Sequence, residues 1–595
     1  QFSARIDHNW SDHTKLFFRA TFDNITGPTT NPEQTAIDPT FAVEYQDRQR
    51  NVAFSVIRSP SAGFTSETGV SFIRTTPIFP SRNFTDPGLK FGDSLYEAFN
   101  KPAGSVMGSY GNLYQVRQNF THVRGKHTIK WGGEWRGNRD TTVYGMSPNG
   151  EYQFGGGTAY SPVAIRSASG LHNIEAGDAL PDSLTGPLTA SAFTYNLAVA
   201  PAMFPQGDRI GDAGIQRDSF DLYVQDSWKA SSKLLVNYGL RYEMASRIRE
   251  RSAQTSALDF HTANGKPAVN LLIHPDPAYR WDPAGFGPRM GVEWNVAKDT
   301  VVRAGAGLTT ILINLWQNNA LTGGTPFVVY PRLTAAPGNP IRFGVTITPA
   351  QLPTVYTTSG QPVFSSGDSK QVPVNTLMDV QRFENELAAL SPDHQITPLN
   401  GAGVSRDLRN GYIGTWTLGV ERKIRAVTVN ASYVATASVK LTAADQPNAY
   451  TGATAEFARY TQFDAKGQVT GGFGPIFLVN NHAHSSYHAM QASASNQLTS
   501  WGLGVQASYS WSKSLDDVSG ILGATPSQDP FHTRLEKGPS TFDVSHAMSF
   551  SLFQDLHADR APLVGRLGKK VMGGWQMLAI GSVNTGLPFT VLSGI

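Results

Sequence analysis

The sequence predicts an all-β chain, a large antiparallel β-barrel built to stand in a membrane. Three observations carry that expectation. Apolar and polar residues alternate with a period of two in segment after segment, the connections between segments are short at one end and long at the other, and the composition is poor in charge without being apolar. Of 595 residues, 49 are Lys or Arg and 46 are Asp or Glu, so 16% are charged, against roughly 25% in soluble domains. Mean hydropathy is -0.26, and no run approaches the ~18 consecutive apolar residues of a spanning helix. A helical membrane protein is excluded. The uncharged stretch Ser183–Gly207 holds Pro187, Pro201 and Pro205 and reads as loop. With no Cys in the chain, disulfides, Cys-ligated zinc, iron–sulfur clusters and thiol catalysis are excluded. A net charge of +3 gives no polyanion-binding surface, so no nucleic-acid partner is expected.

Alternation is clearest in Leu503–Ser512. Leu503, Val505, Ala507 and Tyr509, continuing to Trp511, occupy one face, and Gly504, Gln506, Ser508, Ser510 and Ser512 the other. Successive strand side chains point to opposite faces, so such a segment has one apolar and one polar side. Leu234, Val236, Tyr238, Leu240 and Tyr242 alternate likewise with Asn237, Gly239, Arg241 and Glu243. Ile129, Trp131, Gly133 and Trp135 alternate with Lys130, Gly132, Glu134 and Arg136. Leu16, Phe18, Ala20 and Phe22 repeat the pattern, as do Met548, Phe550 and Leu552.

Short polar connections join these strands in pairs at Ser11–His13, Ser59–Gly63, Arg124–Lys126, Lys229–Lys233, Ala297–Asp299, Lys423–Ala426 and Leu498–Ser500. Between pairs lie long connections at about 142–217, 247–285, 313–411, 441–482 and 514–543. About sixteen strands in eight hairpins result, with the long, structureless loops all expected at the end opposite the short turns. One-sided loop length marks a transmembrane barrel, with short periplasmic turns and long extracellular loops. Lipid satisfies no backbone hydrogen bond, so a spanning sheet closes on itself with an apolar outside and a polar lumen. Arg19, Lys130, Glu134, Arg136, Arg241, Glu243, Glu293, Arg303 and Glu421 fall on the polar phase and form the expected lumen-facing wall. They line a permeation path, dock a plug, or pair with one another to hold the wall. Both signs occur, so no ion selectivity follows. Trp10, Trp131, Trp135, Trp228, Trp294, Trp416, Trp501, Trp511 and Trp575 lie mostly near strand ends, where aromatic girdles mark the membrane interfaces.

Several segments resemble the barrel of TonB-dependent outer-membrane receptors, and in particular the Oar-like group of Acidobacteria and myxobacteria. They are Ser219–Trp228 followed by Tyr238–Glu243, Gly287–Gly291, Val301–Gly307, Tyr487–Gln491, Tyr509–Ser514, Phe542–His546, Gly573–Gln576 and Gly586–Phe589. Each is weak alone; their order across Gln1–Ile595 is specific. The resemblance implies about 22 strands around a plugged lumen. Against that pattern, residues 1–595 are expected to be one partial barrel domain, with plug, TonB box and terminal strands absent from the chain. The resemblance further implies an integral outer-membrane protein of a Gram-negative bacterium. Its expected partners are the lipid bilayer, lipopolysaccharide, the periplasmic TonB complex and an extracellular glycan, peptide or chelate.

No enzyme signature emerges. No His precedes Glu as in a zinc helix, no nucleophile elbow or Walker A loop occurs, and Gly565–Lys570 has the wrong spacing. No cofactor is expected. His482, His484 and His488 are the one candidate metal cluster, with an ordinary polar rim as the other reading. Asp445, Asp516 and Asp517 are either calcium ligands or solvated loop charges. Tyr110–Tyr114 and Tyr450–Thr454 are expected at loop tips, where aromatics beside small polar residues suit ligand contact. The expected function is a receptor-transporter barrel that captures substrate at its loops. The alternatives are a structural or adhesive barrel and a passive porin.

Overall fold

The computed structural model describes the chain except residues 29–42, 81–86, 92–106, 145–149, 156–158, 162, 170–172, 181–190, 193, 197–210, 316–318, 330–331, 337–338, 340, 343–350, 364–371, 393–394, 397–398, 449–458, 464, 466–468, 497–501, 521–531, 557–573 and 590–595. Sixteen long strands form the wall. They are β1 (Phe2–Ser11), β2 (Thr14–Pro28), β3 (Glu44–Ser61), β4 (Phe64–Thr75), β5 (Met107–Arg124), β6 (His127–Tyr144), β7 (Gly211–Lys229) and β8 (Leu234–Ala245). Then follow β9 (Phe286–Ala297), β10 (Thr300–Ile311), β11 (Gly411–Ile424), β12 (Val427–Asp445), β13 (Val469–Asn496), β14 (Leu503–Asp516), β15 (His546–Leu556) and β16 (Trp575–Asn584). Each pairs antiparallel with its neighbours in chain order, as an up-and-down wall requires. Among the described residues β1 pairs only with β2, and β16 only with β15.

The turns follow from local chemistry. Tight antiparallel hairpins need positive φ, which Gly125 (φ 59) and Asp299 (φ 62) supply. Crossing a membrane takes about 9–11 tilted residues. β6 has 18 residues, β7 19 and β13 28, and the excess of each lies at the long-loop end. One connection departs from the expected sidedness. Residues 557–574 join β15 to β16 at the short-turn end; alternation fixes where a strand runs, not how much chain separates it from the next. A second long connection, 76–106 between β4 and β5, also escaped the pattern.

The long loops are not structureless. They carry the hairpin Ser256–Ala263/Lys266–Ile273, a short helix α1 (Asn319–Thr322), a longer helix α2 (Val380–Ala388) and a strand Leu399–Val404 that pairs parallel with β13. A five-stranded sheet runs through Gln395–Ile396, Arg332–Thr334, Thr194–Asn196, Glu151–Phe154 and Gly88–Phe91. Thr194–Asn196 and Ser191–Ala192 fall within the stretch read as loop from its prolines; sheet partners from distant loops override local composition. Together these loop pieces make a cap; apart from α1, whose Ala320 and Leu321 pack with Tyr279 and Leu408, they share a hydrophobic core that includes Tyr152, Phe154, Leu258, Leu271, Leu333, Phe383, Leu387 and Ile476. The wall has the opposite character: Leu222 is 60% exposed where Leu333 is 0% exposed. Tyr110–Tyr114 lies inside β5, not at a loop tip, because its register with β4 and β6 runs on unbroken through Gly111 and Asn112. Tyr450–Thr454 lies outside the described residues.

Burying a large aromatic in the cap is worth several kcal/mol, and truncating it costs about 3–5 kcal/mol. Phe383→Ala is expected to raise hydrogen exchange in 256–273 and 399–404 while leaving β7 and β8 as protected as before. Equal deprotection of the wall would show that cap and wall do not hold separate cores.

Candidate functional site

Two constellations stand out, one on the polar face of the wall and one in the cap. On the wall, register carries a single face from strand to strand: Arg19 opposes Ala53, Ala53 opposes Ser71, Ser71 opposes Gln115, and Gln115 opposes Arg136. Glu134 opposes Asp221, which opposes Glu243. The nine sequence-predicted wall residues therefore share one face, and most of them meet. Arg136 Nε stands 3.2 Å from Glu134 and its Nη2 donates to Asp221. Arg241 Nη2 reaches the same Asp221 carboxylate at 3.3 Å, and its Nε donates to Glu243 at 2.7 Å. On β10, Arg303 bridges Glu293 at 3.1 Å and Glu421 at 3.2 Å. Lys130 and Arg19 make no ion pair among the described residues.

Three participants escaped the sequence reading. Asp221, only 2% exposed, is the hinge of the network between β6 and β8, and Arg117 on β5 pairs with Glu67 on β4 at 2.8 Å. Their signal was available, since each sits on the polar phase of its strand. What was missing was the register that brings distant strands together.

The cap holds a cavity of about 700 Å³ between the hairpin 256–273, the N-terminal turn of α2, residues 459–462 and residues 472–473. Lys266, Asn270, Gln381, Glu384, Tyr460 and Gln462 line it. Asp379 caps α2 by accepting from the Arg382 backbone N–H at 3.1 Å, which fixes the helix start. Glu384, one turn on, points inward. Its Oε1 accepts from Leu399 N at 3.2 Å and its Oε2 from Gly472 N at 2.9 Å. Burial pushes this carboxyl up from 4.5 to about 7, with the two backbone N–H groups opposing the rise. Nothing in the sequence pattern marked Glu384, because its partners are Leu399, fifteen residues on, and Gly472 of β13.

The three histidines go separate ways. His482 Nδ1 lies 3.3 Å from Asp445, His484 Nδ1 lies 3.2 Å from Asp517, and His488 Nδ1 meets the Tyr433 hydroxyl at 2.6 Å. Asp516 accepts from the Ser519 hydroxyl at 2.8 Å. Among the described residues no group of three or more His, Asp or Glu side chains is placed to hold a metal. The tryptophans fall at two heights. Trp10, Trp228, Trp294 and Trp575 lie beside the short-turn end, while Trp135, Trp416 and Trp511 each lie nine positions along the strand from Lys126, Arg425 and Gly502. Trp131 lies between these heights, stacked on Phe120 with ring centroids 5.2 Å apart, and Trp501 lies outside the described residues.

Comparison with known proteins follows this geometry. A family model described as an outer membrane beta barrel domain matches residues 1–594. A search of curated proteins finds no match. Among solved structures, the chain is similar to the outer membrane transporter YddB from Escherichia coli (TM-score 0.48, 11% identity, covering 93% of this chain and 54% of that one). It is similar to the siderophore receptor PirA from Acinetobacter baumannii (TM-score 0.48, 10% identity, covering 98% and 63%). It is also similar to the FrpB iron transporter from Neisseria meningitidis (TM-score 0.44, 10% identity, covering 94% and 57%). The chain thus spans 54–63% of the length of these three proteins.

Two predictions come from the site chemistry. Asp221→Asn strips both arginines of a buried partner and is expected to cost about 3 kcal/mol, whereas Arg303→Gln, in an exposed pair, costs about 1 kcal/mol or less. Denaturant unfolding in lipid vesicles measures both, and equal costs would sink the ranking. For Glu384, a carboxyl raised on folding from 4.5 to about 7 binds more protons folded than unfolded between those values. Cap stability therefore falls as pH rises through that window, by about 3 kcal/mol at about 1.4 kcal/mol per unit. Hydrogen exchange at Leu399 and Gly472, corrected for intrinsic rates, should show this in the wild type and a flat profile in Glu384→Gln.

Proposed function

We propose, because the chain belongs to the outer membrane β-barrel domain family, that this integral outer-membrane wall is the barrel of a receptor-transporter whose folded cap captures a solute. In a membrane the apolar face of such a wall meets lipid and the polar face lines the interior. The observation that carries the reading is the asymmetry of the two ends. One end has tight turns at six of its connections, while the other bears a cap with its own core and a polar-lined cavity of about 700 Å³. That volume is of ligand size, since small-molecule pockets span roughly 300–1,000 Å³. Glu384, Gln381 and Gln462 offer hydrogen-bonding groups to a glycan, a peptide or a chelate.

The two rows of tryptophan support the membrane placement. The upper row stands nine positions from the short turns, which at about 3.3 Å rise and about 40° tilt is a height of roughly 23 Å, close to the apolar band of a membrane barrel at roughly 25 Å. The short-turn row then marks the periplasmic interface and the upper row the outer one, with lipopolysaccharide beyond it. Energy coupling through the TonB complex is the mechanism that the sequence resemblance implies. The adhesive alternative is favoured by one feature: a cap with a packed core presents a fixed surface as well as a receptor does.

Cells carrying the full gene separate the readings. Asn270→Trp fills the cavity from the hairpin and is expected to lower both binding and uptake of a labelled glycan, peptide and chelate panel at least tenfold, with surface display unchanged. Binding without uptake in the wild type would establish the adhesive reading. Unchanged binding and uptake after deletion of 313–411 would overturn capture by the cap.

A further inference from the structure

The wall cations are not all paired, and two of those left over lie together. On the polar face Glu67, Glu134, Asp221, Glu243, Glu293 and Glu421 each sit within 3.3 Å of an arginine. Arg117, Arg136, Arg241 and Arg303 are consumed in those pairs. Lys130 on β6 and Arg289 on β9 are not, and neither has an ion-pair or hydrogen-bond partner among the described residues. Both line a second cavity of about 700 Å³, cut into the polar face across β5–β9.

Register links the two cations across the sheet. Lys130 opposes Gln225, Gln225 opposes Gly239, and Gly239 opposes Arg289. Three strand spacings separate them, about 14 Å at about 4.8 Å each, a span that two long side chains can close from both sides. Between them Gly239 has no side chain and Gln225 presents an amide, while Asn237 contributes a second amide one row nearer the short turns. The arrangement is a smooth floor with an unpaired cation at each side and amides between, bordered by Glu134 and Asp221, which arginines already hold, and by Arg117 and Arg241. With the lining carboxylates engaged by arginines, the free ammonium and guanidinium in a concave site favour an anion there, and a guanidinium fork matches carboxylate and phosphate geometry.

We propose that the polar face between β6 and β9 is a binding site for a small solute bearing carboxylate or phosphate groups, gripped by Lys130 and Arg289. The site lies on the wall, away from the cap cavity, and gives the interior an anion preference. The inference rests on the reading that the polar face lines the barrel, but it does not depend on uptake or on capture by the cap.

The test uses the purified full chain in detergent micelles, with citrate and inorganic phosphate as probes in isothermal titration calorimetry at low salt. Citrate is expected to bind more tightly than phosphate, with affinity falling at least tenfold in Lys130→Gln and in Arg289→Gln and vanishing in the double variant. Because neither side chain has a partner to lose, both variants should retain the wild-type circular dichroism and melting behaviour. Arg19→Gln, which removes an unpaired cation elsewhere on the same face, should change affinity less than twofold. Failure of wild type to bind either probe, or an equal loss in Arg19→Gln, would overturn the proposal. So would binding of an acidic peptide with none of citrate or phosphate. All three results would leave the capture reading standing, since that is scored by uptake through the cap.

Discussion

The rest of the molecule depends on one constraint: no backbone N–H or C=O in hydrocarbon can be left to water. The inner wall strands meet it by pairing with the strand before and the strand after. That demand fixes the antiparallel up-and-down order, because only hairpins keep neighbours adjacent without backbone crossing the membrane unpaired. It also fixes the side-chain period. Once the ladder holds the backbone, each residue faces lipid or interior by parity alone, so Leu222 and Val224 stand exposed on one side while Asp221 and Tyr223 meet their partners on the other.

A wall of this kind needs no hydrophobic core of its own, and the apolar burial appears elsewhere. The cap assembles its core from loops far apart in sequence, with Tyr152, Leu271, Leu333 and Phe383 in contact around one centre. The molecule therefore has two sources of stability with different physics: ladder hydrogen bonds shielded by lipid in the wall, and ordinary area burial in water for the cap. Ion pairs play a third part. Around Asp221, a carboxylate shared between Arg136 and Arg241 ties three consecutive strands on the face where lipid gives no support.

Parity was legible in the sequence because it is a local property. The sixteen strands, most short turns and the common face of Arg19, Glu134, Arg241 and Glu421 all follow from alternation and turn residues within about ten positions. What alternation cannot encode is which strands lie side by side, and so Asp221 and Arg117 were missed although their phase was plain. Turn chemistry misled at Gly111 and Asn112, where a pair that often makes a turn lies within a strand held by both neighbours. The cap was illegible for a different reason. Its elements are two to nine residues long, too short for a period to declare itself, and strands such as Thr194–Asn196 take partners from another loop.

Cap and wall meet along β13 at Glu384. Its carboxylate holds Leu399, whose strand runs parallel to the upper part of β13, and Gly472, which belongs to β13 itself. From there β13 continues down into the wall, paired with β12 and β14 through residues 485–495. The cap cavity is lined by the same Glu384 and Gly472, together with Phe473. Each Glu384 oxygen accepts one backbone N–H and keeps a second lone pair. The side chain that fastens α2 to β13 therefore also presents acceptor capacity to the cavity, and the strand that carries the cap is tied directly to the cavity's lining.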